Sequence, residues 1–169
     1  MNRLVMFVAL ILCALVQAVL PAWTAMGQAK PPVLLGGVLY YALTRNDRQV
    51  IEAAVLAGIL QDSLGPIPMG FSVIAFLPVA LLTHHFRDRV FGDHWFTHMA
   101  LGVASACLVT FILYLLLVSG GYRTGIRIPF VLSKAVGMSL LGLIFIPLVF
   151  KTIERLDHQL GNVELREVS

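Results

Sequence analysis

The sequence predicts an all-α membrane protein of about six transmembrane helices, on three observations. The first is composition: 59% of the 169 residues are hydrophobic, 12% are charged, and the mean hydropathy is +0.88. A soluble domain carries roughly twice that charge. So much apolar surface cannot be hidden inside a globule of this size, and lipid is the solvent that accommodates it. The second is segmentation: apolar runs alternate with short polar connections, and no long polar stretch forms a separate soluble unit. The third is charge placement. The net charge is +3, and the basic residues are scattered through the connections. That pattern orients a membrane protein and does not build a nucleic-acid surface. One transmembrane domain over residues 1–150 and a short charged cytoplasmic tail over 151–169 are expected.

The first span is expected over residues 4–20, stopped by Pro21, with Trp23 at the interface. Arg3, the apolar run and Val16-Gln17-Ala18 resemble a signal peptide, but the run extends past that point and more apolar runs follow, so a retained anchor is expected. Residues 33–43 and 50–60 form the second and third segments around Thr44-Arg45-Asn46-Asp47-Arg48. Each rises only about 18 Å at 1.5 Å per residue. They either span with help from flanking arginines and local thinning, or form a re-entrant pair. Spanning is preferred, because Arg45 and Arg48 are costly at mid-depth. Glu52, four residues after Arg48, is placed to share its face.

The fourth segment covers residues 69–82, with a kink at Pro78. A charged connection with His84, His85, Arg87, Asp88 and Arg89 follows. Residues 97–118 and 129–150 are the fifth and sixth segments, separated by Ser119-Gly120-Gly121 and a basic stretch; Lys134 lies inside the sixth. The tail alternates charge and is expected to begin as a surface helix.

Six spans put eight basic residues on one side: Arg3, Arg45, Arg48, Arg87, Arg89, Lys151, Arg155 and Arg166. The other side holds three, Lys30, Arg123 and Arg127. The positive-inside rule then makes both termini cytoplasmic.

Two groups of residues invite a chemical reading. Asp62 ends the third segment in a turn containing Gly65, Pro66, Pro68 and Gly70. An acid at the edge of hydrocarbon is a functional candidate, and its alternative is a solvated turn acid. Lys134 sits about 7 Å below the same end of the sixth helix, so an Asp62–Lys134 pair is expected. Its alternative is a lysine that snorkels outward alone. His94 and His98 have metal-like spacing beside Asp93, but a site needs a third ligand and no metal is expected. Cys13 and Cys107 sit in apolar runs with no Cys-x-x-Cys pattern. No nucleophile or phosphate-loop motif occurs, so no enzyme and no cofactor are expected.

Gly58-Ile59-Leu60-Gln61-Asp62-Ser63-Leu64-Gly65, continuing to Met69-Gly70-Phe71, resembles the MreD family of rod shape-determining proteins. Gly58, Asp62, Leu64, Gly65 and Gly70 match that family's pattern. Pro66 and Pro68 make the turn stiffer than the pattern requires. Chain size, span number and charged tail extend the resemblance over most of the length. The resemblance implies a non-enzymatic subunit of the bacterial elongation machinery in the inner membrane. It would bind an MreC-like bitopic protein and work with an MreB-like filament and peptidoglycan synthases in maintaining rod shape. It also implies a helical core similar to the substrate-binding subunit of ECF-type vitamin transporters. Such a transporter subunit is the alternative function, with Trp23, Tyr40, Tyr41 and Asp62 as possible pocket residues. Gly58, Asp62, Leu64, Gly65, Gly70 and Lys134 are the partner-binding or structural candidates.

Overall fold

The computed structural model describes residues 3–23, 29–65, 68–87, 95–121 and 128–159. These form six helices: α1 (Arg3–Val19), α2 (Val33–Thr44), α3 (Asp47–Ser63), α4 (Phe71–His85), α5 (Trp95–Ser119) and α6 (Ile128–Gln159). Two of them contain stretches long and apolar enough to cross a membrane, Thr97–Ser119 and Leu132–Asp157, with mean hydropathies of 2.5 and 2.0.

Residue contacts fix the helix directions. Leu10 and Cys13 of α1 meet the position of Gly37, and Gln17 meets Leu34, so α1 and α2 are antiparallel. Arg3 reaches Glu52 and Gln17 reaches Gln61, so α1 and α3 run parallel. Gly36 faces Val149 while Arg45 meets Asp157, which makes α2 and α6 parallel. The result is an up-and-down bundle with two distinct ends.

At its centre is α2, all of whose residues from Val33 to Leu43 are buried. Its sequence, VLLGGVLYYALT, is apolar on every side, and a helix without a polar face is one enclosed by others. Its neighbours are α1, α3, α4 and α6. Enclosure explains how so short a helix is accommodated: its length need not match lipid. On α1, by contrast, only Met6, Ala9, Leu10, Cys13, Ala14 and Gln17 are buried. That is one helical stripe, and the opposite face, including Val8, Leu12 and Leu15, is exposed.

Lipid gives little hydrophobic drive to helix association, so close packing through small residues takes over. The α5–α6 pair shows this. Gly102 and Gly142 face each other, and a β-carbon on either would lie 3.1 Å from the other's carbonyl oxygen. Pro78 is tolerated inside α4, and Pro147 inside α6.

Two boundaries and one pairing differ from expectation. Helix α3 has 17 residues, about 25 Å at the helical rise, because Asn46 starts it earlier and it runs through Asp62. Helix α6 continues unbroken to Gln159, so the beginning of the tail is not a separate surface helix. The reason is that Ile153 and Asp157 stay on the buried face, at 2% and 1% exposure. Glu52 pairs with Arg3 at 3.3 Å, not with Arg48.

Candidate functional site

The turn between α3 and α4 is built around Asp62, which is 3% exposed. Helix α4 starts at Phe71 after Gly70, whose backbone is left-handed at φ 100° and whose missing side chain cannot cap the helix. Asp62 supplies the cap from the preceding helix. Its Oδ2 accepts the Gly70 N–H at 2.7 Å, and its two carboxylate oxygens share the Ser72 N–H at 3.1 and 3.3 Å. First-turn amides of a helix lack intrahelical partners and carry the positive end of its dipole, so an anion there is stabilised twice over. Among the described residues Asp62 has no ion-pair partner, and it is these backbone amides that meet its carboxylate.

One turn earlier on α3, Gly58 sets the distance between the two helices. A β-carbon there would lie 2.6 Å from Val73 Cα and 2.7 Å from Val73 N. Those are backbone atoms and cannot rotate away, so any side chain forces α3 and α4 apart. Leu64 closes α3, its N–H reaching the carbonyls of Leu60 and Gln61, and packs against the core. The Gly65 N–H reaches Asp62 O at 3.3 Å and begins the turn. Gly58, Asp62, Leu64, Gly65 and Gly70 therefore form one hairpin brace. Beside it, the Gln17 amide donates to Gln61 at 2.5 Å and accepts the Leu34 N–H at 2.9 Å, which ties the hairpin to α1 and α2.

Lys134 does not join this brace. The ion pairs among the described residues are Arg3–Glu52, Arg45–Asp157 and His84–Asp47. The expected Asp62–Lys134 pair is thus corrected: backbone amides occupy the carboxylate, and α6 packs mainly on α5 and α2 while α3 packs on α1, α2 and α4.

The other end of the bundle holds a cluster that sequence reasoning missed. The Arg45 guanidinium meets Asp157 Oδ2 at 2.8 Å, with side chains 15% and 1% exposed. The Tyr40 hydroxyl donates to the same oxygen at 3.1 Å. Tyr41, its ring 5.4 Å from that of Tyr40, has a buried hydroxyl with no hydrogen-bond partner among the described residues. Nearby, His84 of α4 points Nδ1 at the Ala42 carbonyl, 2.7 Å away, and Nε2 at Asp47, 2.5 Å away. A signal for Asp157 does exist: Ile146, Phe150, Ile153 and Asp157 recur at helical spacing, so the buried face of α6 predicts its place.

His98 packs its ring 4.8 Å from Phe150. Asp93 and His94 lie outside the described residues, as do Pro66, Arg89, Arg123, Arg127 and Arg166. Among the described residues no group of three or more His, Cys, Asp or Glu side chains is placed to hold a metal ion.

The hairpin brace carries the resemblance noted in the sequence, and comparison with protein families decides its meaning. The family model for rod shape-determining protein MreD matches residues 1–156. The chain belongs to the MreD family. Neither characterised proteins nor solved structures gave a significant match. MreD proteins are membrane proteins of rod-shape determination, in agreement with the apolar helices here. The residues on which the resemblance was read in the sequence are those that shape the α3–α4 hairpin.

Proposed function

We propose that this chain is a non-catalytic, multi-pass subunit of the bacterial elongation machinery in the inner membrane. It binds an MreC-like bitopic protein and, with an MreB-like filament and peptidoglycan synthases, supports side-wall growth. The observation that carries this reading is the MreD match over residues 1–156, nearly the whole chain. Residues 1–150 form the membrane domain with six crossings, and residues 151–169 are cytoplasmic, the first of them continuing α6 against the bundle as far as Asp157. The eight-to-three distribution of basic residues supports both termini being cytoplasmic. The up-and-down bundle fits it, since Arg3, Arg45, Arg48 and Arg87 gather at one end.

In this reading the motif acts through shape. Gly58, Asp62, Leu64, Gly65 and Gly70 hold the hairpin, and the hairpin presents exposed apolar side chains, Ile59, Met69 and Ile74, at and below its tip. A partner helix or strand recognises that rigid tip, not the Asp62 charge. Depletion in a rod-shaped bacterium should round the cells, and native-membrane pull-down should recover a bitopic partner with a large periplasmic region. Depleted cells that stay rod-shaped but lose vitamin uptake would overturn the reading in favour of transport. A phosphatase fused after Ser169 should be inactive; periplasmic activity there would reverse the orientation.

A further inference from the structure

The helices of the bundle differ in length, and the difference leaves one face of α6 without a helix over it. Helix α2 has 12 residues and α4 has 15, about 18 and 22 Å, whereas α6 has 32, about 48 Å. Helices α2 and α6 run parallel, and Val149 packs on Gly36. On α2 the helix begins only three residues before Gly36, at Val33; on α6 it begins at Ile128, far ahead of Val149. Lys134, Met138, Phe145 and Val149 share one face of α6, at spacings of four and seven. Lys134 therefore lies about 18 Å beyond the start of α2, on the face that α2 covers further along.

That face holds a charge whose counterpart this chain does not supply. Lys134 is half-buried and forms no ion pair among the described residues. The connections at this end, residues 20–32, 64–70 and 120–127, contain no Asp or Glu. Asp62 is engaged by the amides of Gly70 and Ser72. Lys134 is also turned away from where lipid lies. The outward stripe of α6 is Leu132, Val136, Leu140, Ile144 and Leu148, each 49–60% exposed, and Lys134 is not on it. An ionisable side chain at membrane depth is costly and pairs with an opposite charge. On an inward-turned face that charge is one carried by protein. We propose that this face of α6 docks the outer half of the bitopic partner's transmembrane helix, with a carboxylate of that helix against Lys134. The proposal rests on the reading of the chain as a subunit that binds a bitopic protein, and it adds a contact separate from the hairpin tip.

The test is photocrosslinking in native membranes, using the full chain with a photoreactive phenylalanine in place of Met138, on this face, or of Leu140, on the outward stripe. Adducts are mapped to peptides by mass spectrometry, and pull-down from the same membranes reports whether a bitopic partner is bound at all. Position 138 should give adducts with the partner's transmembrane helix close to an Asp or Glu, and position 140 should not. Lys134→Met should lower the adduct at 138 by about threefold or more, the scale of one polar contact between membrane helices. Lys134→Arg should keep it. Lys134→Glu should lose it and regain it when the partner's mapped acid is exchanged for lysine, a rescue that misfolding would not allow. A partner recovered in pull-down with adducts only elsewhere, or with adducts indifferent to Lys134→Met, overturns the docking face and leaves the subunit reading standing. Adducts with phospholipid alone at position 138 overturn it as well. A pull-down without any bitopic partner removes both readings.

Discussion

The two ends of the bundle each bury a carboxylate, and they stabilise it in different ways. At one end Asp62, 3% exposed, is held by two backbone amides of the helix that follows it. At the other, Asp157, 1% exposed, is held by the side chains of Arg45 and Tyr40, more than a hundred residues away in sequence. The first arrangement needs no counter-ion and serves the shape of one hairpin. The second ties the end of α6 to the end of α2, and around it Arg45 Nε, Asp157 Oδ1 and the Tyr41 hydroxyl are buried with no hydrogen-bond partner among the described residues. A charge satisfied by backbone is local and geometrically rigid. A charge satisfied by distant side chains joins elements and is vulnerable when either partner is lost.

The largest expected effect is therefore at the side-chain pair. Arg45→Met or Asp157→Asn leaves the other partner buried and uncompensated, at about 3–5 kcal/mol. The double variant Arg45→Met with Asp157→Leu should recover part of that loss, as read by thermal unfolding in one detergent. If the single changes prove harmless, the two ends do not differ in the way described.

Gly58→Ala comes next. The added methyl meets the Val73 backbone, so the cost should reach the upper part of the range of about 1–3 kcal/mol for overpacking. Because the hairpin itself moves, partner recovery in pull-down should fall more steeply than stability. Gly58→Ala with normal stability and normal partner recovery would mean the helices are free to separate there.

Asp62→Ala should cost about 1–3 kcal/mol, mainly from the buried Ser72 amide, since the Gly70 amide is partly exposed and can take a water. Combined with Lys134→Met, the effect should be simply additive within about 0.5 kcal/mol, because the two residues share no contact. A coupling well above that would restore the ion pair.

The smallest effect sharpens the contrast between buried and surface charge. Glu52→Ala breaks an ion pair whose side chains are 65% and 35% exposed, and should change stability by less than about 1 kcal/mol.

These two ends also differ in how far the sequence reveals them. The apolar runs locate the six helices of the described residues, because a helix facing lipid or enclosed by other helices must be apolar and the connections must be polar. Gly58, Asp62 and Gly70 stand out in the sequence, because glycines at a turn and an acid in an apolar context are rare enough to notice. The partners of Asp62 were not legible, since every residue but proline has a backbone N–H and only the fold decides which one points at the carboxylate. Charge and expected depth point to Lys134 as its partner, and neither property shows where a backbone amide points. Tyr40, Arg45 and Asp157 were missed for the opposite reason. Asp157 sits in a tail where charges alternate, and only the burial of Ile153 one turn before shows that the helix is still inside the bundle.

Asp62 braces the start of α4 through that helix's backbone amides. Amide hydrogen exchange at Gly70 and Ser72, compared between wild type, Asp62→Ala and Lys134→Met, measures that contact itself. Protection at these two amides should fall in Asp62→Ala ahead of the rest of α4 and stay at the wild-type level in Lys134→Met. Unchanged protection in Asp62→Ala, or loss in Lys134→Met, would contradict it.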